Sequence, residues 1–151
     1  MAERATVARI TGVRFSPSAL SVSEVLKMKI KKATKRDITG LIQLEAEALR
    51  EFKDWNITKR EEFLDLIKKR LMYIAKENKK IVGYINVKII ERKIILDNVY
   101  VKKELRKKGT EKELIDDILT DLKEINFKDV IISCPAILRR FYERFRLKKE
   151  K

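Results

Sequence analysis

The stretch "DNVYVKKELRKKGTEKELIDDIL", Asp97 to Leu119, decides the fold of this chain. Its first residues have the composition of a β-strand, its middle is a basic loop with one glycine, and its end carries apolar residues at helical spacing. A helix that starts directly after such a loop presents unpaired backbone N–H groups to an anion. The stretch therefore predicts a strand, an anion-binding loop and an amphipathic helix in succession.

A second informative segment, "FYERF", spans Phe141 to Phe145. Together with the loop it resembles the two signature regions of the GNAT acetyltransferases. The family loop has Arg or Gln, two variable residues, Gly, one further residue, and then Gly or Ala. Here Arg106 and Gly109 match, and Glu111 stands at the second small position. The resemblance covers residues 28–151, with specific motifs in the second half.

The resemblance implies that acetyl-CoA binds at this loop as cosubstrate. Backbone N–H groups of the loop would hold the pyrophosphate, and a backbone N–H of the preceding strand would polarise the acetyl carbonyl. The cofactor-binding residues implied in this way are Val99, Tyr100, Val101, Arg106, Lys107, Lys108, Gly109, Thr110 and Glu111.

Glu111 makes the cofactor loop a degenerate one. As an anion near a helix N-terminus it stabilises the helix by roughly 0.3–1 kcal/mol. Beside a bound pyrophosphate it adds negative charge and bulk. A side chain turned outward would leave the backbone site intact, so we expect weakened binding of acetyl-CoA and not its loss.

Two residues are candidates for the proton transfers. By resemblance, Tyr142 protonates the departing thiolate, and a phenol with a pKa of about 10 suits that role; the alternative is that Tyr142 only packs its helix. Asp97 is the candidate general base, with Glu45, Glu47 or bulk water as alternatives. The single cysteine, Cys134, is interpreted as a buried structural residue.

The hydrophobic pattern of residues 28–151 predicts one α/β domain with a mixed sheet, in the order β-α-α-β-β-β-α-β-α-β. This is also the order of the GNAT fold. Thr34 and Thr58 are the expected N-caps of the first two helices. The final strand is expected at "LKKEK", and by resemblance we expect the family's last strand to be lacking. We therefore expect an open sheet edge, through which a homodimer could form.

Residues 1–27 differ in composition from the rest and are predicted to be an N-terminal extension. They contain six charged residues, of which one is lysine, whereas a lysine-rich strand begins at Met28. We expect Met28 to be the true translation start, because "GVRFS" at Gly12 to Ser16 has the sequence that a translated tRNA T-arm would give. The alternative is an ordinary extension.

Composition limits the remaining function classes. The net charge of +14 comes from 37 basic residues dispersed among 23 acidic ones, which is typical of thermophile surfaces and argues against nucleic acid as the partner. The chain has no histidine, one cysteine and no long apolar run, so we expect a cytoplasmic protein without metal or membrane. The predicted activity is N-acetyl transfer to a primary amine of a small molecule or protein. A GNAT-fold binding protein without catalysis and a nucleic-acid-binding module stay open as alternatives.

Overall fold

The computed structural model describes residues 5–11 and 29–143, with the backbone alone at residues 5–11, Lys107 and Lys108. Its strands are β1 (Ala5–Thr11), β2 (Lys29–Lys32), β3 (Met72–Glu77), β4 (Lys80–Ile90), β5 (Lys93–Val101) and β6 (Asp129–Cys134). Its α-helices are α1 (Ile38–Glu51), α2 (Arg60–Lys68), α3 (Thr110–Asp121) and α4 (Arg139–Glu143). Short 3-10 turns, Lys35–Asp37, Lys103–Lys108 and Ala136–Leu138, precede α1, α3 and α4.

The strands form one mixed sheet in the order β1-β6-β5-β4-β3-β2. The pair β5–β6 is parallel and the other four pairs are antiparallel. The parallel pair is joined through α3, as a crossover between parallel strands requires. The predicted α/β class and the order of elements from β2 to α4 are confirmed.

Part of the predicted N-terminal extension belongs to the sheet. Residues 5–11, expected to be part of a foreign extension, form β1 and pair with β6 from Ala5↔Cys134 to Thr11↔Asp129. β1 therefore lies at the edge beside β6. The strand predicted at "LKKEK" lies outside the described residues, and translation from Met28 stays a prediction.

The core lies on both faces of the sheet. On one face, apolar side chains of the strands pack against α3, whose buried residues include Leu114, Ile115 and Ile118, as their helical spacing predicts. On the other face, Met72 and Ile74 of β3 belong to a cluster with side chains of α1 and α2. Burial of apolar surface on both faces holds the strands and helices together.

Thr34 is the N-cap of the 3-10 turn Lys35–Asp37 that leads into α1, whereas the N-cap of α1 itself is Asp37. The backbone N–H of Thr34 donates to Asp37 Oδ2 at 2.8 Å, in the reciprocal pattern of a capping box. Thr58 is not the cap of α2, because Lys59 takes that position and its backbone N–H lies 3.4 Å from Glu62 Oε1. Thr58 is instead buried among polar groups of the sheet. Among the described helices, none is both long enough and apolar enough to span a bilayer.

Candidate active site between β5 and β6

A gap opens in the sheet where β5 and β6 part. The two strands pair from Lys93↔Asp129 to Asp97↔Ser133, after which β5 continues to Val101 while β6 ends at Cys134. Pro135 follows, and proline has no backbone N–H to extend the ladder. The last residues of β5 thus keep β4 on one side and have the gap on the other.

The backbone of β5 presents donors to this gap. Lys102 N–H donates to Val82 O of β4 at 2.9 Å, which fixes the side that faces β4. Successive residues of a strand point their N–H groups to opposite sides, so the N–H groups of Val99 and Val101 point toward the gap. In agreement, Val101 O accepts from Arg106 Nε at 2.8 Å, not from β4.

A β-bulge precedes these donors. Between the pairs Tyr84↔Tyr100 and Asn86↔Asp97, β4 has one residue and β5 has two. Asn98 takes up the extra residue with φ of 53°, a conformation that Asn adopts more readily than most residues. The bulge turns Asp97 and Asn98 to the same face of the sheet, toward the loop between α1 and α2.

Asn98 ties that loop to the bulge. Its Nδ2 donates to Asn56 O at 2.7 Å and to Thr58 Oγ1 at 2.8 Å, and Asn86 Nδ2 donates to the same hydroxyl at 3.0 Å. Asn86 Oδ1 is buried with no hydrogen-bond partner among the residues that the structure describes. The Asp97 carboxylate lies beside this group, 3.5 Å from Asn56 Nδ2 and 3.7 Å from Lys88 Nζ.

Glu45 supports the same loop from α1. It is 4% exposed, and it accepts from Trp55 Nε1 at 3.1 Å, from Thr58 N–H at 2.8 Å and from the Tyr84 hydroxyl. Burial and the adjacent Glu45 carboxylate raise the pKa of Tyr84 well above its ordinary value. With three donors around it, Glu45 holds the loop in place. Glu47, the other alternative base, is half-buried 3.9 Å from Lys102 Nζ.

Arg106 begins the basic loop and anchors it to α1. Its guanidinium binds the Glu51 carboxylate with two nitrogens and lies 5.2 Å from the ring centroids of Phe52 and Tyr100. The hydrogen bonds from Arg106 hold the pKa of Glu51 below its ordinary value. The charged fork of Arg106 is therefore turned toward Glu51.

The loop ends at Gly109, the residue before α3. Gly109 has φ of 80°, the left-handed conformation that glycine adopts without steric cost, and a Cβ placed there would meet no atom within 4 Å. The backbone of Lys107 and Lys108 forms the preceding 3-10 turn, and Thr110 is buried as the first residue of α3. This geometry leaves open space around Gly109 at the helix N-terminus, as a backbone anion site requires.

Glu111 does not turn outward, and weakened binding of acetyl-CoA stays a prediction. Its side chain is 3% exposed, and its Oε1 has no hydrogen-bond partner in the described part of the chain. Burial raises the pKa of Glu111 to about 7, although a hydrogen bond from its own backbone N–H and the charge of Arg106 both lower it. The family position for a small residue thus holds an inward-facing carboxyl.

Tyr142 of α4 closes the site opposite Glu111. The phenol is 1% exposed; burial raises its pKa well above the ordinary value, and the charges of Glu111 and Cys134 raise it further. Cys134 is buried, in agreement with its interpretation as a structural residue, and its thiol donates to Pro135 O at 3.2 Å. Ala136 N–H, just before α4, donates to Asp54 Oδ2 at 2.9 Å and so links this region to the α1–α2 loop.

The structure brings the predicted residues together in two groups. Arg106, Glu111 and Tyr142 interact electrostatically on the side of α3 and α4, whereas Asp97 lies on the face toward the α1–α2 loop. Sequence analysis did not identify Asn86 and Asn98. Asn98 carries one signal, an asparagine within an apolar strand, which is where a bulge is tolerated. Asn86 carries none.

A basic cleft of about 450 Å³ lies apart from this gap. It is bounded by the start of α1, the turn between β3 and β4, and the end of β5. Its basic lining residues are Arg36, Lys76, Lys79, Lys80 and Lys102.

Comparisons with known proteins agree with this geometry. The sequence model of the acetyltransferase (GNAT) domain matches residues 41–146. No protein among curated sequences matches the chain.

Solved structures of acetyltransferases have a similar fold. The PaiA N-acetyltransferase of Thermoplasma acidophilum, solved with coenzyme A, has a TM-score of 0.69 and 19% identity over 82% of this chain and 92% of its own. Ard1 of Thermoplasma volcanium has a TM-score of 0.66 and 18% identity over 78% and 80%. A predicted acetyltransferase of Clostridium acetobutylicum, solved with acetyl-CoA, has a TM-score of 0.63 and 20% identity over 82% and 93%. Because the domain match spans most of the chain and the parted strands lie within it, this protein belongs to the GNAT acetyltransferase family.

Proposed function

We propose that this protein transfers an acetyl group from acetyl-CoA to a primary amine by direct attack of the amine, with the thioester held in the gap between β5 and β6. The observation that carries the proposal is the parting of the two strands after Asp97↔Ser133, beside a β5 backbone whose Val99 and Val101 N–H groups face the gap. Two N–H groups of this kind stabilise the negative charge that develops on a carbonyl oxygen under attack.

The loop before α3 supports a binding site for the pyrophosphate of acetyl-CoA. The first-turn N–H groups of α3, open space around Gly109 and the net charge of +14 all favour an anion at this position. Glu111 opposes it by charge, and Arg106 offers little compensation while its fork is bound to Glu51. The residues present thus fit the pyrophosphate group with reduced affinity.

The acceptor amine would bind on the face that carries the bulge. Asp97 and Asn86 lie opposite each other across β4 and β5, and Asn86 Oδ1 is a buried acceptor whose hydrogen bond is not satisfied by the described residues. An amine N–H donates well to such a pair. Asp97 then takes the proton that the amine loses on forming the amide bond.

Tyr142 would complete the proton balance from the other side of β5. It donates its proton to the sulfur that leaves when the thioester bond breaks. Burial and the nearby Glu111 charge keep the phenol protonated at neutral pH, which is the state that donation requires. The candidate acid Tyr142 and the candidate base Asp97 lie on opposite sides of β5. Each can therefore act on its own reactant, Tyr142 on the sulfur and Asp97 on the amine.

The test is acetyl transfer by the full chain to a panel of amino acids, aminoglycosides, and peptides with a free N-terminus or lysine. Thiol release reports turnover, and mass spectrometry identifies the acetylated product; Cys134 is buried and adds little background. We expect Asp97→Asn to lower kcat by about 100-fold while acetyl-CoA binding is unchanged. Lys88→Met is the matched control, because it removes the neighbour of Asp97 and keeps the carboxylate.

The alternative of a binding protein without catalysis makes a different prediction. If acetyl-CoA binds and no amine of the panel is acetylated faster than in buffer, catalysis is refuted and cofactor binding stands. If Asp97→Asn turns over like the parent, Asp97 is not the base.

A further inference from the structure

The inference concerns Glu111, the residue of the cofactor loop that departs from the family pattern. It occupies the first turn of α3, a helix of 12 residues, two positions after Gly109. Its carboxyl oxygen Oε1 is buried and has no hydrogen-bond partner among the described residues. The side chain is 97% buried, which places this unsatisfied oxygen inside the protein.

The N–H groups in the first turn of α3 are the groups that an anion at the helix N-terminus would need. The first N–H groups of a helix have no partner within the helix. In α3, intrahelical bonding starts with Glu113 N–H, which donates to Gly109 O at 3.1 Å. The Glu111 carboxyl thus belongs to the same helix turn as the N–H groups that an external anion would bind.

The charged and titratable groups around Glu111 come from four elements. Arg106 of the loop attracts it, but the Arg106 guanidinium is bound to Glu51. Tyr142 of α4, whose pKa burial raises well above the ordinary value, is neutral at neutral pH, and Cys134 of β6 lies beyond it. On its own helix, the first turn holds a second acid, Glu113. This setting compensates a charge on Glu111 only in part.

We infer that Glu111 is a built-in competitor for the phosphate end of the cofactor site, and that binding of acetyl-CoA is coupled to uptake of one proton by its carboxyl. The inference rests on the proposed function. In the ionised form Glu111 repels the pyrophosphate. In the protonated form this repulsion is absent, and its O–H donates a hydrogen bond to a phosphate oxygen.

The titration of Glu111 falls in the range where this coupling is measurable. Because burial raises its pKa to about 7, both forms are populated at neutral pH. The binding-competent form dominates below that pH and declines tenfold for each further pH unit above it. The apparent Kd should therefore rise about 30-fold between about pH 6 and about pH 8.5.

The experiment is calorimetric titration of the full chain with acetyl-CoA at several pH values, in pairs of buffers that differ in ionisation enthalpy. The difference between buffers counts the protons taken up. Glu111→Gln removes the titration with little change of shape. Glu113→Gln is the matched control, because it removes an acid of the same helix turn without changing Glu111.

The coupling predicts that, on binding acetyl-CoA at about pH 8.5, the parent and Glu113→Gln take up nearly one proton, whereas Glu111→Gln takes up less. At the same pH, Glu111→Gln should bind acetyl-CoA about 30-fold tighter than the parent. Titration of the ligand's own phosphates affects all variants equally. Equal pH dependence and equal proton uptake in the parent and Glu111→Gln would overturn the inference. Proton uptake by the parent tests it even if a variant fails to fold.

A different outcome separates this inference from the proposed function. If neither the parent nor Glu111→Gly binds acetyl-CoA at any pH, the proposed function fails and the inference fails with it. If the parent binds equally well across the pH range, the proposed function stands and the inference alone is refuted.

Discussion

The Tyr142 phenol and the Glu111 carboxyl lie near one another inside the protein, one on α4 and the other on α3. Burial raises the pKa of Tyr142, and the charge of Glu111 raises it further. Both side chains are at most 3% exposed. The loop that meets the phosphates and the helix that carries the candidate acid are therefore electrostatically linked through these two residues.

Stability should depend on pH through Glu111. Its pKa rises from 4.5 to about 7 on folding, so the folded state keeps a proton that the unfolded state has released between these values. The corresponding stabilisation is fully present below pH 4.5 and is lost as pH rises through 7. Relative to Glu111→Gln, the parent should lose about 3 kcal/mol of unfolding free energy between about pH 4.5 and about pH 8.5.

Urea denaturation of both proteins across this range measures the effect. Glu113→Gln, only partly buried on the same helix turn, should track the parent. Parallel stability curves for the parent and Glu111→Gln would show that Glu111 titrates alike in the folded and unfolded states.

Tyr142→Phe should lower kcat about 100-fold with the KM for acetyl-CoA changed less than about threefold, because the phenyl ring keeps the packing and only the proton donor is lost. Steady-state kinetics on the best amine of the panel measures both constants. Tyr73→Phe is the control: its hydroxyl is bound to Asp121, away from the gap. Equal kcat for parent and Tyr142→Phe would assign Tyr142 to packing alone.

Glu45→Gln should destabilise the fold by about 2–4 kcal/mol, since one oxygen that accepts a buried hydrogen bond becomes an NH₂ group facing a donor. The donors affected come from Trp55, Thr58 and Tyr84. Glu47→Gln, which changes a half-exposed ion pair, should cost under about 1 kcal/mol. Chemical denaturation distinguishes the two; a similar small loss for both would contradict the role given to Glu45.

Gly109→Ala should cost about 1 kcal/mol, entirely from backbone strain at φ of 80°, because the added Cβ meets open space. Gly83→Ala provides the contrast, since its Cβ would lie 2.9 Å from the Tyr100 carbonyl oxygen at normal φ. We expect a larger loss there, about 1–3 kcal/mol. Thermal or urea unfolding tests the order of the two, and the reverse order would be a contradiction.

Local patterns were enough to predict most of the fold from the sequence. Period-2 and helical apolar spacing located β2 to β6 and the helices. Gly109 of the loop indicated that α3 starts directly after it. The features that were missed depend on pairing between distant segments. The bulge at Asn98 exists because, between the pairs Tyr84↔Tyr100 and Asn86↔Asp97, β5 has one residue more than β4, which neither strand shows alone.

Features of the candidate site were missed for the same reason, because they depend on contacts between segments that are far apart in the sequence. Glu45 meets Tyr84 from 39 residues away, and Thr58 looked like an ordinary helix cap until Asn86 and Asn98 were found bound to its hydroxyl. The burial of Glu111 and its interaction with Tyr142, 31 residues on, were likewise not evident from its neighbours in sequence. The pairing of β1 with β6 was likewise invisible in a short segment of seven residues.

The most direct test of the central claim is a structure of the full chain with CoA bound, obtained near pH 6 where Glu111 is mostly protonated. The account predicts the thiol end between β5 and β6, within hydrogen-bonding reach of the Val99 or Val101 N–H, and the pyrophosphate at the first turn of α3 beside Gly109. CoA bound elsewhere, such as in the basic cleft between α1 and the β3–β4 turn, with the gap between β5 and β6 closed, would contradict it.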